Sequence, residues 1–409
     1  MKIKNARPLA LLFAASAIAT QLALAAGDDE HAAAEAAIER IEERLTARPD
    51  DAMLRYFLAI YQARAGRKQD AMQSLERLLP RRLGFRPPRD VGFDAFWNDA
   101  DFQALLARFD ANEPPVAKAT PAFELPDATF IPEGISHDPR TGSFFIGSTA
   151  QRRILERRAD GKFVEFSKAS DALKGVLGLR VDATRRRLYA VSTSNVGRRA
   201  NEPLENAVFV YDLDRRTLLK RYAIADTQNL NDVAISKDGT VVVSDSMGAG
   251  LYRLDAASDR FVPLVPAGEL SCNGIDFSTD GHRLFVASTT GVVVVDMASG
   301  KFERLPQPDD IAAGAIDGLY FHRGDLIGVQ NTISPGRVVR LHLAGDASRI
   351  DKLTVLQSYG KLLDEPTTGA IVGNEIFVIA NSSVPALGDE GVLRDPATLR
   401  RARIVRIPL

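Results

Sequence analysis

The sequence predicts a mainly β protein, a six-bladed β-propeller preceded by a small α-helical, tetratricopeptide-like domain. Three observations lead there. A short phrase recurs six times: Glu133-Gly134-Ile135, Leu177-Gly178-Leu179, Asn231-Asp232-Val233, Asn273-Gly274-Ile275, Asp317-Gly318-Leu319 and Thr368-Gly369-Ala370. Successive copies are separated by 44, 54, 42, 44 and 51 residues, the period of a propeller blade of four short strands. After each phrase, turn residues lead into a β-branched and aromatic run that ends in small polar residues, as in SKDGTVVVSDS and STDGHRLFVAST. Runs such as Thr240–Val243 and Arg283–Ala287, bounded by Asp-Gly, read as hairpin strands.

Residues 123–409 are expected to form the propeller, at roughly 48 residues per blade. Phe123–Phe130 is the candidate for a strand that completes the last blade beside Ile404–Ile407. A β-sandwich would leave the repeated phrase unexplained.

Residues 1–26 read as a secretory signal peptide. Lys2, Lys4 and Arg7 are followed by an apolar stretch from Leu9 and by Ala23-Leu24-Ala25, with cleavage expected near Ala25/Ala26. The stretch is short and Ala-rich for a membrane span. A periplasmic or secreted location is expected, with no membrane insertion. Losing this segment removes three cations and no acids, leaving 49 Lys+Arg against 53 Asp+Glu. That balance does not favour nucleic acid as a partner. Cys272 is the single cysteine, so no disulfide framework exists; it reads as a small buried side chain.

Residues 27–113 have a helical rhythm. Ile38, Ile41 and Leu45 recur at helical spacing before Pro49, and Leu58-Ala59, Gly66, Ala71, Leu75 and Leu78 follow the spacing of a tetratricopeptide unit. Gln62 stands where that repeat usually has an aromatic residue. Phe93, Phe96, Trp97, Phe102 and Leu105 are expected in the second half. The region reads as a helical cap with a structural or dimerisation role, or as a dock for a protein partner. The Pro-rich stretch 114–122 reads as the linker.

Four of the six variable positions in the phrase carry side-chain oxygen: Glu133, Asn231, Asn273 and Asp317. Asn and Asp before Gly are common turn formers, but Glu is not, and Leu177 shows that the fold does not require a polar residue there. Equivalent positions in a ring converge on its axis. Two carboxylates crowded there repel unless a cation or proton lies between them. Oxygen-only ligands favour Ca²⁺ or Mg²⁺, and amide carbonyls in an open shell suit Ca²⁺ best, with exchange for Zn²⁺ or Mn²⁺ left open.

The segments PEGI, LNDVAISKDG, CNGIDFSTDG and AIDGL resemble the gluconolactonase and senescence-marker-protein family of six-bladed propellers, with paraoxonases and strictosidine-synthase-like proteins as more distant cousins. The resemblance covers about residues 130–380. It implies Glu133, Asn231, Asn273 and Asp317 as metal ligands, Asp317 as the catalytic base, and a lactone or ester as the small-molecule substrate. One position departs from the sugar-lactonase pattern: Asn229 stands where those members carry a substrate-holding Arg. His137 reads as a turn residue ahead of Asp138-Pro139. Two readings of function are therefore expected to compete. One is an exported metal-dependent hydrolase of a lactone or ester. The other is a non-catalytic propeller scaffold with a structural ion and a helical interaction cap. The insertions Val196–Glu205 and Ser382–Arg401 are the expected specificity loops.

Overall fold

The computed structural model describes residues 27–409 apart from 85, 113–114, 332, 334–335 and 359–361. The expected signal peptide lies outside the described residues. Among them, no helix is long and apolar enough to cross a membrane.

Among the described residues, twenty-four strands form six four-stranded antiparallel sheets. Strand β1 (Thr120–Glu124) pairs with β24 (Arg403–Pro408), which pairs with β23 (Glu375–Ile379) and then β22 (Gly369–Val372). The ring therefore closes by joining the first strand to the last blade. Three residues of the expected linker belong to β1. The other blades are consecutive: blade 1 is β2–β5 (132–165), blade 2 β6–β9 (175–223), blade 3 β10–β13 (230–265), blade 4 β14–β17 (275–304) and blade 5 β18–β21 (316–357). The expected Asp-Gly turns form as such, with Gly239 and Gly281 at φ +97° and +74°, a region that costs glycine little.

The recurring phrase marks where innermost strands crowd the axis. A Cβ on Gly134 would lie 1.8 Å from the Leu177 carbonyl oxygen, one on Gly178 2.6 Å from that of Asn231, and one on Gly274 2.2 Å from that of Asp317. Glycine is required there because the next blade's backbone fills the space where a side chain would begin. The phrase also coincides with irregular pairing. Register shifts occur between Pro132/Gly134, Val176/Leu179, Leu230/Val233 and Ile316/Leu319. Such bulges re-aim side chains; the phrases of blades 4 and 6 carry no such shift.

The helical domain contains α1 (Gly27–Ala47), α2 (Ala52–Arg64), α3 (Lys68–Glu76) and α4 (Ala100–Asp110). Asp51 caps α2 by accepting from the Leu54 N–H at 3.0 Å, and Asp99 caps α4. Gln62 is buried and its Oε1 accepts from Ser74 Oγ at 2.8 Å, a polar tie between α2 and α3 where the repeat usually packs a ring. Phe93, Phe96, Trp97 and Phe102 form an aromatic cluster, with Phe93 stacked on Phe102 at 5.5 Å.

This domain shares its core with the propeller: Ala312, Ala315 and Ile333 belong to the same buried cluster as Ile38, Phe57 and Leu105. Polar anchors fix the junction. Arg304 pairs with the buried Asp51 at 2.9 Å, and Arg81 donates to the Asp309 carbonyl at 3.2 Å. Fully buried Arg337 donates through Nη1 to the carbonyls of Leu83 and Gly84 at 2.7 and 3.1 Å. Residues 311–315 lead into β18, and Ile333 follows β19 (Asp325–Gln330). Both lie at the end of the ring where the inner strands begin, so the cap sits on the face that carries the recurring phrase.

Candidate metal centre

Glu133 is the second residue of β2 (Pro132–Asp138), Asn231 the second of β10 (Leu230–Ile235) and Asp317 the second of β18 (Ile316–His322); Asn273 precedes β14 (Ile275–Phe277). Equivalent steps on inner strands put all four at one end of the channel. Asn273 and Asp317 are buried and in direct contact: the Asn273 amide donates to Asp317 Oδ1 at 2.9 Å. The Asn331 amide donates to Asp317 Oδ2 at 2.6 Å. Two neutral amides thus hold the carboxylate from both sides. Asn231 is half-buried and donates to Ser246 Oγ at 3.3 Å, which also takes the Asn229 amide at 3.0 Å.

The electrostatics are those of acids in a confined space. Burial, with the Asp317 and Glu365 carboxylates adding to it, pushes Glu133 well above the usual carboxylate range. Burial raises Asp317 to about 7 against the opposing pull of the Asn273 and Asn331 amides, and Asp232 adds to the rise. Two oxygens, Glu133 Oε2 and Asn273 Oδ1, are buried with no hydrogen-bond partner. Orphaned acceptors of this kind are rare and call for a partner. A hard cation fits the set, because every donor offered is oxygen and two of the four are carboxylates. Among the described residues, no three His, Cys, Asp or Glu side chains cluster as metal ligands; the amides are indispensable to any site here.

Deeper in the channel lies a second charged layer, which sequence reasoning missed. Arg180 on β6 (Gly175–Asp182) donates to the carbonyls of Val233 and Ile275 at 3.2 and 3.3 Å and lies 3.9 Å from Asp276. Its guanidinium also faces the Tyr320 ring at 5.6 Å. Burial disfavours its charge, but Asp276 and Asp232 outweigh that and hold it firmly protonated. Asp232, standing where other copies have Gly, accepts from the Ile275 N–H at 3.0 Å and so ties blade 3 to blade 4. The sequence signal was present in that Asp-for-Gly exchange.

Other expected residues fall elsewhere. His137 is not in a turn: β2 continues through Asp138, and the His137 ring packs on Phe144 at 4.8 Å, four residues down the strand from Glu133. Burial lowers its pKa, and it takes no part at the axis. Cys272 is fully buried, with its thiol 3.3 Å from the carbonyls of Asp245 and Gly250 and its pKa raised by burial. Asn229 is buried and its N–H binds Asp245 Oδ1 at 2.7 Å, so it serves the channel wall.

The two insertions meet each other. A Cβ on Gly197 would lie 2.6 Å from Leu387, and Gly391 packs on the Gly197 carbonyl. The first insertion is pinned by Glu202, which receives Arg152 through both carboxylate oxygens at 2.9 and 2.7 Å and Lys174 at 2.7 Å. These partners hold Glu202 down to about 2. A cleft of about 250 Å³, lined by Arg48, Asp51, Arg304 and Gln307, lies at the junction of cap and propeller rather than at the axis.

The family model described as Tetratricopeptide repeat matches residues 31–114. No curated protein matches the chain. Solved structures similar to it include the PQQ-bound aldose sugar dehydrogenase from Streptomyces coelicolor, 16% identical over 72% of this chain and 99% of that one, with a TM-score of 0.49. A gluconolactonase from Xanthomonas campestris is 16% identical over 72% and 99%, with a TM-score of 0.46. A luciferin-regenerating enzyme is 15% identical over 71% and 96%, with a TM-score of 0.47.

Proposed function

We propose that the chain is an exported, metal-dependent hydrolase of a lactone or ester, with Ca²⁺ as the ion that fits. The observation that carries this reading is the pair of buried, unpartnered oxygens, Glu133 Oε2 and Asn273 Oδ1, beside a second carboxylate, Asp317. Leaving such groups unpaired costs about 1–3 kcal/mol each; a cation removes that cost and the repulsion between the acids. Glu133, Asn231, Asn273 and Asp317 would hold it through oxygen.

A bound divalent ion supplies polarisation of the substrate carbonyl and a lowered pKa for an attacking water. The protein's own contribution falls to Asp317. Its carboxylate accepts the water's proton, and the Asn273 and Asn331 amides fix the plane in which it does so. Each oxygen keeps a further lone pair after accepting one amide hydrogen. Asn229 lacks the many-donor contact that an Arg would give a polyhydroxylated sugar lactone, so the site favours a less hydroxylated lactone or an ester over an aldonolactone.

A panel of lactones and aryl esters, assayed with Asp317→Ala alongside, tests the reading. Turnover abolished by chelation and by the substitution supports it. Full turnover in Asp317→Ala sinks it.

The second reading is a non-catalytic scaffold with a structural ion. It is favoured by the contact between the Val196–Glu205 and Ser382–Arg401 insertions and by the cap's seat on the same face. Ion binding without turnover of any panel member would select it.

A further inference from the structure

Asn331 is the first residue after β19, and it stands between the cap and the axis. On one side its amide donates to Asp317 Oδ2 at 2.6 Å. On the other, its loop is tied to the propeller at one point and to the helical domain at two. Gln330, immediately before it, donates to the carbonyls of Ala312 and Gly314 in the segment entering β18. Ile333, two residues after it, is buried in the core that the cap shares with the propeller. Arg337, at the start of β20 (Arg337–Leu343), joins both systems: Nε donates to Gln330 Oε1 at 2.7 Å, and Nη1 reaches the Leu83 and Gly84 carbonyls of the cap. Gly314 closes the same junction, since a Cβ there would lie 3.0 Å from the Met53 side chain.

We infer that Asn331 is a positioning residue for Asp317 and that the helical cap holds Asn331 in place, so the cap is a working part of the axial site. The inference rests on the metal-site reading above and deepens it. The physical reason is preorganisation. A loop asparagine has free rotamers and a mobile backbone, and its hydrogen bond orients a ligand only when both are fixed. In this protein the propeller fixes one end of the loop through Gln330, and the cap fixes the other through Ile333 and Arg337. The arrangement also accounts for the fully buried guanidinium of Arg337, which binds main-chain carbonyls of the cap at a site where packing alone would favour an apolar residue.

The test is the midpoint of Ca²⁺-induced thermal stabilisation of the chelator-stripped full chain. Five proteins are compared: wild type, Asn331→Ala, Ile333→Ala, Ile333→Val, and Ser74→Ala, which removes the Gln62 tie inside the cap and leaves the cap's contacts to Ile333 and Arg337 in place. Outer-sphere partners of metal ligands typically change affinity about 10–100-fold. Asn331→Ala is therefore expected to need at least about tenfold more Ca²⁺ with little change in metal-free Tm. Ile333→Ala shifts the midpoint the same way by a smaller factor, Ile333→Val by less, and Ser74→Ala not at all. If Ile333→Ala does not fold, Ile333→Val carries the comparison. An unchanged midpoint in Asn331→Ala overturns the positioning role. A shifted midpoint there with none in either Ile333 variant, or an equal shift in Ser74→Ala, overturns the part assigned to the cap. No Ca²⁺ response in wild type means that the metal-site reading has failed and the inference falls with it.

Discussion

Asn273 gives its amide hydrogen to Asp317 Oδ1 across 2.9 Å, and its own Oδ1 is left buried without a hydrogen-bond partner. The bond fixes which way the asparagine faces: nitrogen toward the acid, oxygen away from it. One side chain thus orients the proposed base and presents a carbonyl to whatever fills the axis. Two residues from adjacent inner strands are joined by their function rather than by packing alone.

Asp317→Asn preserves the side chain's volume and removes its charge. Turnover of the best ester or lactone is expected to fall by about 10²–10⁴, the usual contribution of a positioned base. Saturation kinetics on the purified variant, with thermal unfolding run beside them, separate lost chemistry from lost fold.

The acids predict opposite pH trends for stability and for ion affinity. Asp317 rises to about 7 and Glu133 well above its usual range, both chiefly through burial. A carboxyl raised on folding contributes stability below its ordinary range and loses it as pH climbs through the folded-state value. The metal-free protein should therefore lose stability between about pH 4 and 7 from this source, and Asp317→Asn should flatten that slope. Ca²⁺ affinity should instead fall on acidification from pH 8 to 6, because protons must leave for the ion to bind. A Ca²⁺ affinity flat over that interval would contradict the assignment of these acids as ligands.

Gly274→Ala tests the crowding at the axis. The new methyl would meet the Asp317 carbonyl at 2.2 Å and the Leu319 nitrogen at 2.5 Å, both backbone atoms that cannot swing aside. Destabilisation of about 1–3 kcal/mol is expected, together with weakened Ca²⁺ binding, because Asn273 and Asp317 flank the clash. Chemical denaturation of the two proteins reads the first effect and ion titration the second.

Cys272→Ala is expected to keep full turnover. The thiol is fully buried, and burial raises its pKa, so it offers no nucleophile. Loss of its packing should cost stability alone, by about 1 kcal/mol. Rapid modification of the folded wild type by a thiol reagent would overturn this placement.

The ring was readable in the sequence because the phrase that repeats is a steric necessity. Gly134, Gly178 and Gly274 have no room for a Cβ, and Asp-Gly turns at Gly239 and Gly281 punctuate the hairpins. Blade closure was legible at Phe123 and Ile404 but began at Thr120, since proline and threonine near the strand's start gave no alternating pattern. His137 was misread because Pro139 signals a turn without saying where the strand before it ends. At the site, the four phrase residues could be named from periodicity, whereas Asn331, Ser246 and Arg180 could not. Asn331 reaches Asp317 from the end of a second strand, Ser246 from a loop, and Arg180 from a blade whose own phrase carries only Leu177. Periodicity identifies one ring of positions; partners that approach from other strands carry no matching repeat. Nor did the helical spacing show on which face of the ring the cap would settle, because that depends on Ala312, Ala315 and Ile333, small or single apolar residues in connections.

The central claim is that Glu133, Asn231, Asn273 and Asp317 hold one cation at the axis. Calorimetric titration of the chelator-stripped protein with Ca²⁺, with Glu133→Ala as control, tests it most directly. The account predicts saturable binding of about one ion per chain, abolished in Glu133→Ala. A folded wild-type protein that takes up no ion, or a variant that binds as tightly as wild type, would contradict it.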